Sequence, residues 1–175
     1  MDLSRDYFAL FDLPRRFVID EEALDRAWHA LQAEVHPDQH ACAPDADRRR
    51  AMQWSLRVNE AYTTLKKPIL RAQYLLELVG VDAGIATNTA MAPEFLMEQM
   101  EWREAVAEAR AGRDVDVLEQ LRQRLRTHAD AVRGHLARHL DERTDYPAAA
   151  DTVRQLMFID KLRIEIDDAL AVLED

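Results

Sequence analysis

Residues 24–38 read LDRAWHALQAEVHPD and decide the fold of the N-terminal part of the chain. Apolar side chains recur in this stretch at intervals of three and four residues, which is the period of an amphipathic helix. The stripe consists of Leu24, Ala27, Trp28, Leu31 and Val35. Pro37 stops this helix, because its ring clashes with the preceding turn and it has no N–H to donate. We therefore expect His36 and Asp38 on a stiffened loop tip that another protein can reach.

Helices flank this loop tip on both sides. A short first helix is predicted at residues 2–13, and the second begins at Asp20, where acidic residues suit the positive end of the helix dipole. We expect the first helix to turn inward Tyr7, Phe8 and Phe11. After a loop from His40 to Asp47, further helices are predicted at 48–66 and 69–78. The predicted inward stripe of the third helix is Met52, Leu56, Tyr62 and Leu65.

Three long helical stretches make up the second half of the chain. They are predicted at 93–111, 114–140 and 147–173. Pro93 occupies the first helical position, which favours proline, and the short connections indicate antiparallel neighbours. The fold class is therefore all-α, with an N-terminal helical hairpin domain followed by a C-terminal three-helix bundle. We place the domains and the linker between them at 1–80, 81–90 and 91–175.

Composition restricts the class of protein and its partners. Only four glycines and 32% charged residues among 175 positions favour helices over strands and turns. A net charge of −10 argues against a nucleic-acid partner, which needs a concentrated basic face. No apolar run is long enough to span a bilayer, and the single Cys42 excludes an internal disulfide. We expect no membrane partner and a location in the bacterial cytoplasm.

The helix at 93–111 carries more apolar side chains than one core stripe needs. Its inward side is formed by Phe95, Trp102, Val106 and Ala109. The other side presents Leu96, Met97 and Met100, mixed with the carboxylates of Glu101, Glu104 and Glu108. Exposed apolar residues framed by acids are typical of a protein-binding patch, although neighbours gripping both sides of the helix would give the same periodicity.

The last helix has a core stripe and one aromatic residue away from it. The stripe consists of Ile159, Leu162, Ile166, Leu170 and Leu173. Phe158 lies well off this stripe. We therefore expect Phe158 to be exposed and to extend the patch of the 93–111 helix.

The N-terminal region resembles a J-domain, the module that stimulates the ATPase of a DnaK-type chaperone. The residues that carry this resemblance are His36-Pro37-Asp38, Asp6-Tyr7-Phe8-x-x-Phe11 and Asn59-x-Ala61-Tyr62-x-x-Leu65. Residues 65–76, 95–104 and 148–162 make the resemblance more specific, because they are similar to signatures of the HscB family of iron–sulfur co-chaperones. This second similarity covers essentially the whole chain.

The resemblance implies two protein partners and no cofactor. The loop of His36, Pro37 and Asp38 would engage an HscA-type chaperone of the DnaK family and trigger ATP hydrolysis on that partner. An IscU-type scaffold, which carries the iron–sulfur cluster, would be bound by positions matching Leu96, Met97, Met100, Glu101, Glu104, Glu108 and Phe158. The chain would thus deliver the scaffold to the chaperone and stimulate an ATPase without being one.

Two departures from the family pattern bear on partner choice. Met100 stands where leucine is usual, a change that nearly conserves volume. J-domains generally carry a strongly basic second helix, whereas this chain offers only Arg26 and His29 there. Weak charge complementarity lowers the association rate more than the specificity, which favours a dedicated chaperone over a general one.

Enzyme and metal functions find little support in the residues. The four glycines are isolated, so no loop cradles a phosphate. Two histidine groups, His36 and His40 with Cys42 and His135 with His139, fall short of a complete zinc ligand set. One cysteine cannot hold an iron–sulfur cluster, which takes about four thiolates. The alternative function is a general J-domain co-chaperone whose bundle binds assorted unfolded clients.

Overall fold

The structure is a computed structural model that describes residues 5–35, 44–82 and 93–174, and every regular element in these ranges is helical. The helices are α1 (Tyr7–Leu10), α2 (Glu21–Val35), α3 (Asp45–Lys66), α4 (Pro68–Leu78), α5 (Pro93–Ala111), α6 (Val115–Ala137) and α7 (Tyr146–Glu174). The chain divides into two compact units, 1–75 and 76–175, with the boundary inside α4. The predicted linker at 81–90 lies almost wholly outside the described residues, so the predicted domain bounds stay a prediction.

The N-terminal unit is built on the packing of α2 and α1 against α3. Its core consists of Tyr7, Phe8, Phe11, Leu24, Trp54, Val58, Ala61 and Leu65. The predicted inward aromatic residues of the first helix are therefore confirmed, and so are four members of the predicted stripe of α2: Leu24 is buried, and Ala27, Trp28 and Leu31 are partly buried against this core. The side chain of Val35 lies outside the described part of the structure. α1 is shorter than predicted, because Phe11 already leaves the helical conformation and Asp12 adopts a left-handed one, with φ of 56°.

The predicted stripe of α3 is wrong in part. Met52 and Leu56 are exposed, whereas Leu65 is buried and Tyr62 is partly buried. The face that α3 turns inward consists of Ala51, Trp54, Val58, Ala61 and Leu65. These positions repeat at intervals of three and four residues, and two of them are alanines. The buried face is therefore decided by where the neighbouring helices pack against α3, and not by the size of its side chains.

Polar contacts across α2 and α3 tie the two helices together. The Tyr62 hydroxyl donates a hydrogen bond of 3.0 Å to Asp25 Oδ1, and Lys66 Nζ donates to both carboxylate oxygens at 2.9 Å. The Lys66 hydrogen bond is the largest cause of a lowered pKa for Asp25, and the same bond raises the pKa of Lys66. The charged forms of both groups are therefore favoured in the folded state.

Asp25→Asn should lower the melting temperature at pH 7, and the loss should disappear in acid. A lowered folded-state pKa means that the carboxylate stabilises the fold above the ordinary pKa of 3.8, and this contribution is lost as pH falls through the folded-state value. The raised pKa of Lys66 keeps the pair intact up to its ordinary value of 10.5. Circular-dichroism melts at pH 7 and pH 3 test this, with Glu22→Gln on the same helix as control. An equal loss at both pH values would contradict the linkage.

The C-terminal unit is a three-helix bundle in which α5 and α6 both pack against α7. The predicted stripes are confirmed at Phe95, Val106 and Ala109 of α5 and at Ile159, Leu162, Ile166 and Leu170 of α7. Trp102 and Leu173 are only partly buried. The predicted 114–140 helix is α-helical as far as Ala137 and then widens into a π-helical turn, Arg138–Arg143, before the chain turns back into α7.

Candidate protein-binding surfaces

The outer face of α5 is an apolar patch that no described neighbour covers. Leu96, Met97 and Met100 are 44%, 63% and 71% exposed. On the opposite side of the helix Phe95, Val106 and Ala109 are buried. The prediction that these three side chains face away from the core is confirmed, and the alternative of a helix gripped on both sides is wrong. We name Leu96, Met97, Met100, Glu101, Glu104 and Glu108 the α5 patch.

The carboxylates of the α5 patch carry charge that no residue in the described part of the chain neutralises by an ion pair. Glu101, Glu104 and Glu108 are all exposed. Within residues 5–35, 44–82 and 93–174, none of the three forms an ion pair. Acids that frame an apolar patch without a partner favour a docking surface that carries basic side chains.

Phe158 is not the exposed extension of the patch that its position on the helical wheel predicted. It is only 8% exposed, and its ring meets that of Phe95 edge to face, with centroids 5.7 Å apart. The predicted exposure is therefore wrong, because α7 packs against two helices and needs a wider buried arc than one stripe. Its role in scaffold binding stays a prediction.

Arg103 covers the ring of Phe158. The Arg103 Cζ atom lies 5.5 Å from the ring centroid, within the range of a cation–π contact. Arg103 itself is exposed and stands on α5 between the patch and α7. Periodicity could not have identified this contact, because it joins two helices that are far apart in sequence.

The other flank of α5 is fastened to α6. His128 Nε2 lies 3.4 Å from Glu98 Oε1, and the His128 ring stands 6.4 Å from that of Trp102. Arg124 of α6 places its guanidinium carbon 5.1 Å from the Trp102 ring centroid. α5 is thereby joined to both α6 and α7 while its outer face stays exposed, so the patch is presented on a rigid element.

The predicted chaperone-binding residues are only partly within the described structure. His36, Pro37 and Asp38 lie outside the described residues. Arg26 and His29 are exposed on α2, the helix that leads to this loop. The Arg26 guanidinium is 3.6 Å from the nearest carboxylate oxygen of Glu22 and 3.9 Å from that of Asp20, so acids of the same unit offset part of its charge.

The helices of the N-terminal unit, on either side of residues 36–43, are linked through residues of the J-domain motif. Asn59 Oδ1 of α3 accepts a hydrogen bond from the Trp28 indole N–H of α2, at 3.1 Å, and a second from Gln32. Tyr7 stacks on Tyr74 with ring centroids 4.3 Å apart, and the Tyr74 hydroxyl accepts from the Tyr7 N–H at 3.1 Å. The motif residues outside the predicted loop thus hold the helices of the N-terminal unit together.

The part of the chain that the structure describes contains no group of three or more His, Cys, Asp or Glu residues placed to hold a metal ion. The histidines and cysteine of the predicted loop, His36, His40 and Cys42, are outside it. No described helix is both long enough and apolar enough to cross a membrane.

Known proteins resemble this chain over nearly its full length. The family model described as the HSCB C-terminal oligomerisation domain matches residues 91–167. A co-chaperone protein HscB homolog from Azoarcus sp. (strain BH72) is 66% identical over 175 residues, covering 100% of this chain and 99% of the relative.

Solved structures extend the resemblance to the fold. Chaperone HscB from Vibrio cholerae superposes with a TM-score of 0.86 at 36% identity, over 97% of this chain and 99% of that one. Human co-chaperone protein HscB gives a TM-score of 0.89 at 28% identity, over 95% of this chain and 83% of the human chain. With an all-α J-domain followed by a helical bundle, and a relative that is 66% identical end to end, this chain belongs to the HscB family of co-chaperones.

Proposed function

We propose that this co-chaperone serves iron–sulfur cluster assembly by binding an IscU-type scaffold with its C-terminal bundle and delivering it to an HscA-type chaperone of the DnaK family. The observation that carries the proposal is the α5 patch. Three apolar side chains stand exposed on a helix whose opposite face is packed, and three unpaired carboxylates frame them. Such a surface suits one defined partner with apolar and basic side chains.

The N-terminal unit is assigned the stimulation of the chaperone's ATPase. In this proposal His36, Pro37 and Asp38 are the trigger, and Arg26 and His29 of α2 provide the adjoining contact. α2 carries four carboxylates against the one guanidinium of Arg26, and two acids lie within 4 Å of that group, so any positive field around Arg26 is weak. A weak field supports a dedicated chaperone, because a general one would have to be attracted by long-range charge. We place this activity in the bacterial cytoplasm.

The hydrolysis of ATP takes place on the partner in this mechanism. Holding scaffold and trigger on one chain raises the concentration of the scaffold at the chaperone without any new contact. Full-length protein and scaffold together should therefore stimulate the chaperone's ATPase more than the sum of their separate effects.

Steady-state ATPase rates of the purified chaperone measure this synergy. The control for linkage on one chain is a mixture of two full-length variants, Asp38→Asn and a variant with alanine at Leu96, Met97 and Met100. Each carries one intact function, so the mixture should show no synergy if the two functions must be on one chain. Synergy equal to that of the wild-type protein would contradict the adaptor mechanism.

The alternative, a general J-domain co-chaperone, is distinguished by what the bundle binds. A general client binder presents a broad, adaptable apolar surface, whereas the α5 patch is small and framed by charge. Titration of the protein with the folded scaffold and with a chemically unfolded reference protein separates the two functions. Tight binding of the scaffold alone supports the proposal, and preferential binding of the unfolded protein supports the alternative.

A further inference from the structure

The buried ring of Phe158 has an exposed cation over it. One edge of the ring is closed by Phe95, which is itself buried in the bundle. Arg103, an exposed residue of α5, lies over the ring with its Cζ atom 5.5 Å from the centroid. An exposed arginine has a long, flexible stem, so it can leave the ring without disturbing the packing beneath.

Arg103 has no carboxylate to pair with on its own helix. Residues three or four positions away are the ones that face it, and these are Gln99, Met100, Val106 and Ala107. Some other arginines of the bundle do have such partners: Arg122 has Glu119 and Arg133 has Asp130. Arg103 thus stands on an acidic helix whose acids do not occupy the positions three or four residues from it.

The facing helix offers no carboxylate to Arg103 either. The neighbours of Phe158 at three and four residues on α7 are Arg154, Gln155, Lys161 and Leu162. Arg103 forms no ion pair with any residue in the described part of the chain, and its contact with Phe158 is the interaction that holds it. A charged hydrogen bond to a carboxylate is stronger than an exposed cation–π contact, so an incoming carboxylate would displace the ring as its partner.

Arg103 also adjoins the α5 patch. At 100° per residue, Arg103 lies about 20° from Leu96 and about 60° from Met100 around the helix. Its withdrawal would therefore join the Phe158 ring to the apolar side chains of the patch. A partner that docks on Leu96 and Met100 also reaches Arg103. Docking on the patch and withdrawal of Arg103 from the Phe158 ring are therefore coupled.

We propose that Arg103 is a positioning residue that covers Phe158 in the free protein and pairs with a carboxylate of the docking scaffold, which uncovers the ring for an apolar side chain of that scaffold. This inference rests on the proposed function and adds the chemistry that the partner must carry. The scaffold surface needs basic residues opposite Glu101, Glu104 and Glu108 and one acid at the α7 side. A partner protein that lacks this acid leaves Arg103 over the Phe158 ring and contacts only part of the surface. It therefore binds more weakly than a partner that carries the acid, and this difference in affinity is a source of specificity.

Charge reversal tests the pairing. Arg103→Glu should weaken scaffold binding, measured by calorimetry with purified scaffold, by about tenfold or more, because two carboxylates then face each other. Arg110→Glu is the matched control: it makes the same change in charge on an exposed position of the same helix, away from Phe158. It should change the affinity less than about twofold, since exposed charges are screened within about 8 Å. Melting temperatures of both variants should stay near that of the wild type.

The uncovering of Phe158 has its own spectroscopic readout. A proton above an aromatic face is shifted upfield, so the Arg103 Nε–H resonance, assigned by its loss in Arg103→Lys, should move downfield when the scaffold is added. Wild-type binding with an unmoved resonance, or equal affinities of Arg103→Glu and Arg110→Glu, would overturn the inference and leave the proposed function standing. Failure of the wild-type protein to bind the scaffold would overturn both.

Discussion

The Asp38→Asn protein is expected to bind the scaffold as the wild type does and to leave the chaperone's ATPase at its unstimulated rate. Asparagine keeps the size of the side chain and removes its charge. Asp38 follows Pro37, which is predicted to stop the second helix, and it belongs to none of the core stripes that the sequence predicts. The loss should therefore be functional, and the melting temperature should not change.

A second Asp→Asn variant controls for the change of charge near the loop. Asp45 is the first residue of α3, is exposed, and pairs with Arg48 at 2.5 Å. Asp45→Asn removes one carboxylate from the same region and should stimulate hydrolysis as the wild type does, because exposed ion pairs contribute little. If hydrolysis rises equally with Asp38→Asn and with the wild type, the trigger assignment is wrong.

The patch on α5 could be predicted from the sequence because its signal is local. Helical period alone assigns Phe95 and Val106 to one side and Met97 and Met100 to the other, and the structure agrees at each position. What period could not decide was whether a neighbour covers the second side. The packing of α6 and α7 against the same half of α5 answers that question.

The errors arise where a side chain's surroundings come from a distant part of the chain. Phe158 is off the main stripe of α7, yet it is buried because α5 approaches on that side. Met52 and Leu56 are large and apolar, yet they are exposed because α2 packs against the face that contains Ala51 and Ala61. Size and hydropathy describe the residue alone, whereas burial depends on which helix lies opposite.

Alanine at Leu96, Met97 and Met100 together should weaken scaffold binding by about a hundredfold or more, since one central anchor contributes about 2 kcal/mol, the contributions of neighbouring anchors are not additive, and about 1.4 kcal/mol is tenfold. The three side chains are exposed, so the melting temperature should stay close to that of the wild type. A matched control removes three exposed apolar side chains of the same unit outside the patch, through alanine at Val117, Ile164 and Val172. This control should bind normally.

Phe158→Ala should behave differently from the triple variant, although both concern the same surface. Truncation of a buried phenylalanine costs about 3–5 kcal/mol of stability, so its melting temperature should fall clearly. Phe158→Leu, which keeps the site filled, should retain most of that stability while it loses the ring that a partner would contact. Calorimetric titration and thermal melts of all four variants separate binding from folding. A large fall in the melting temperature of the triple variant would mean that Leu96, Met97 and Met100 belong to the core, and unchanged binding would mean that the scaffold docks elsewhere.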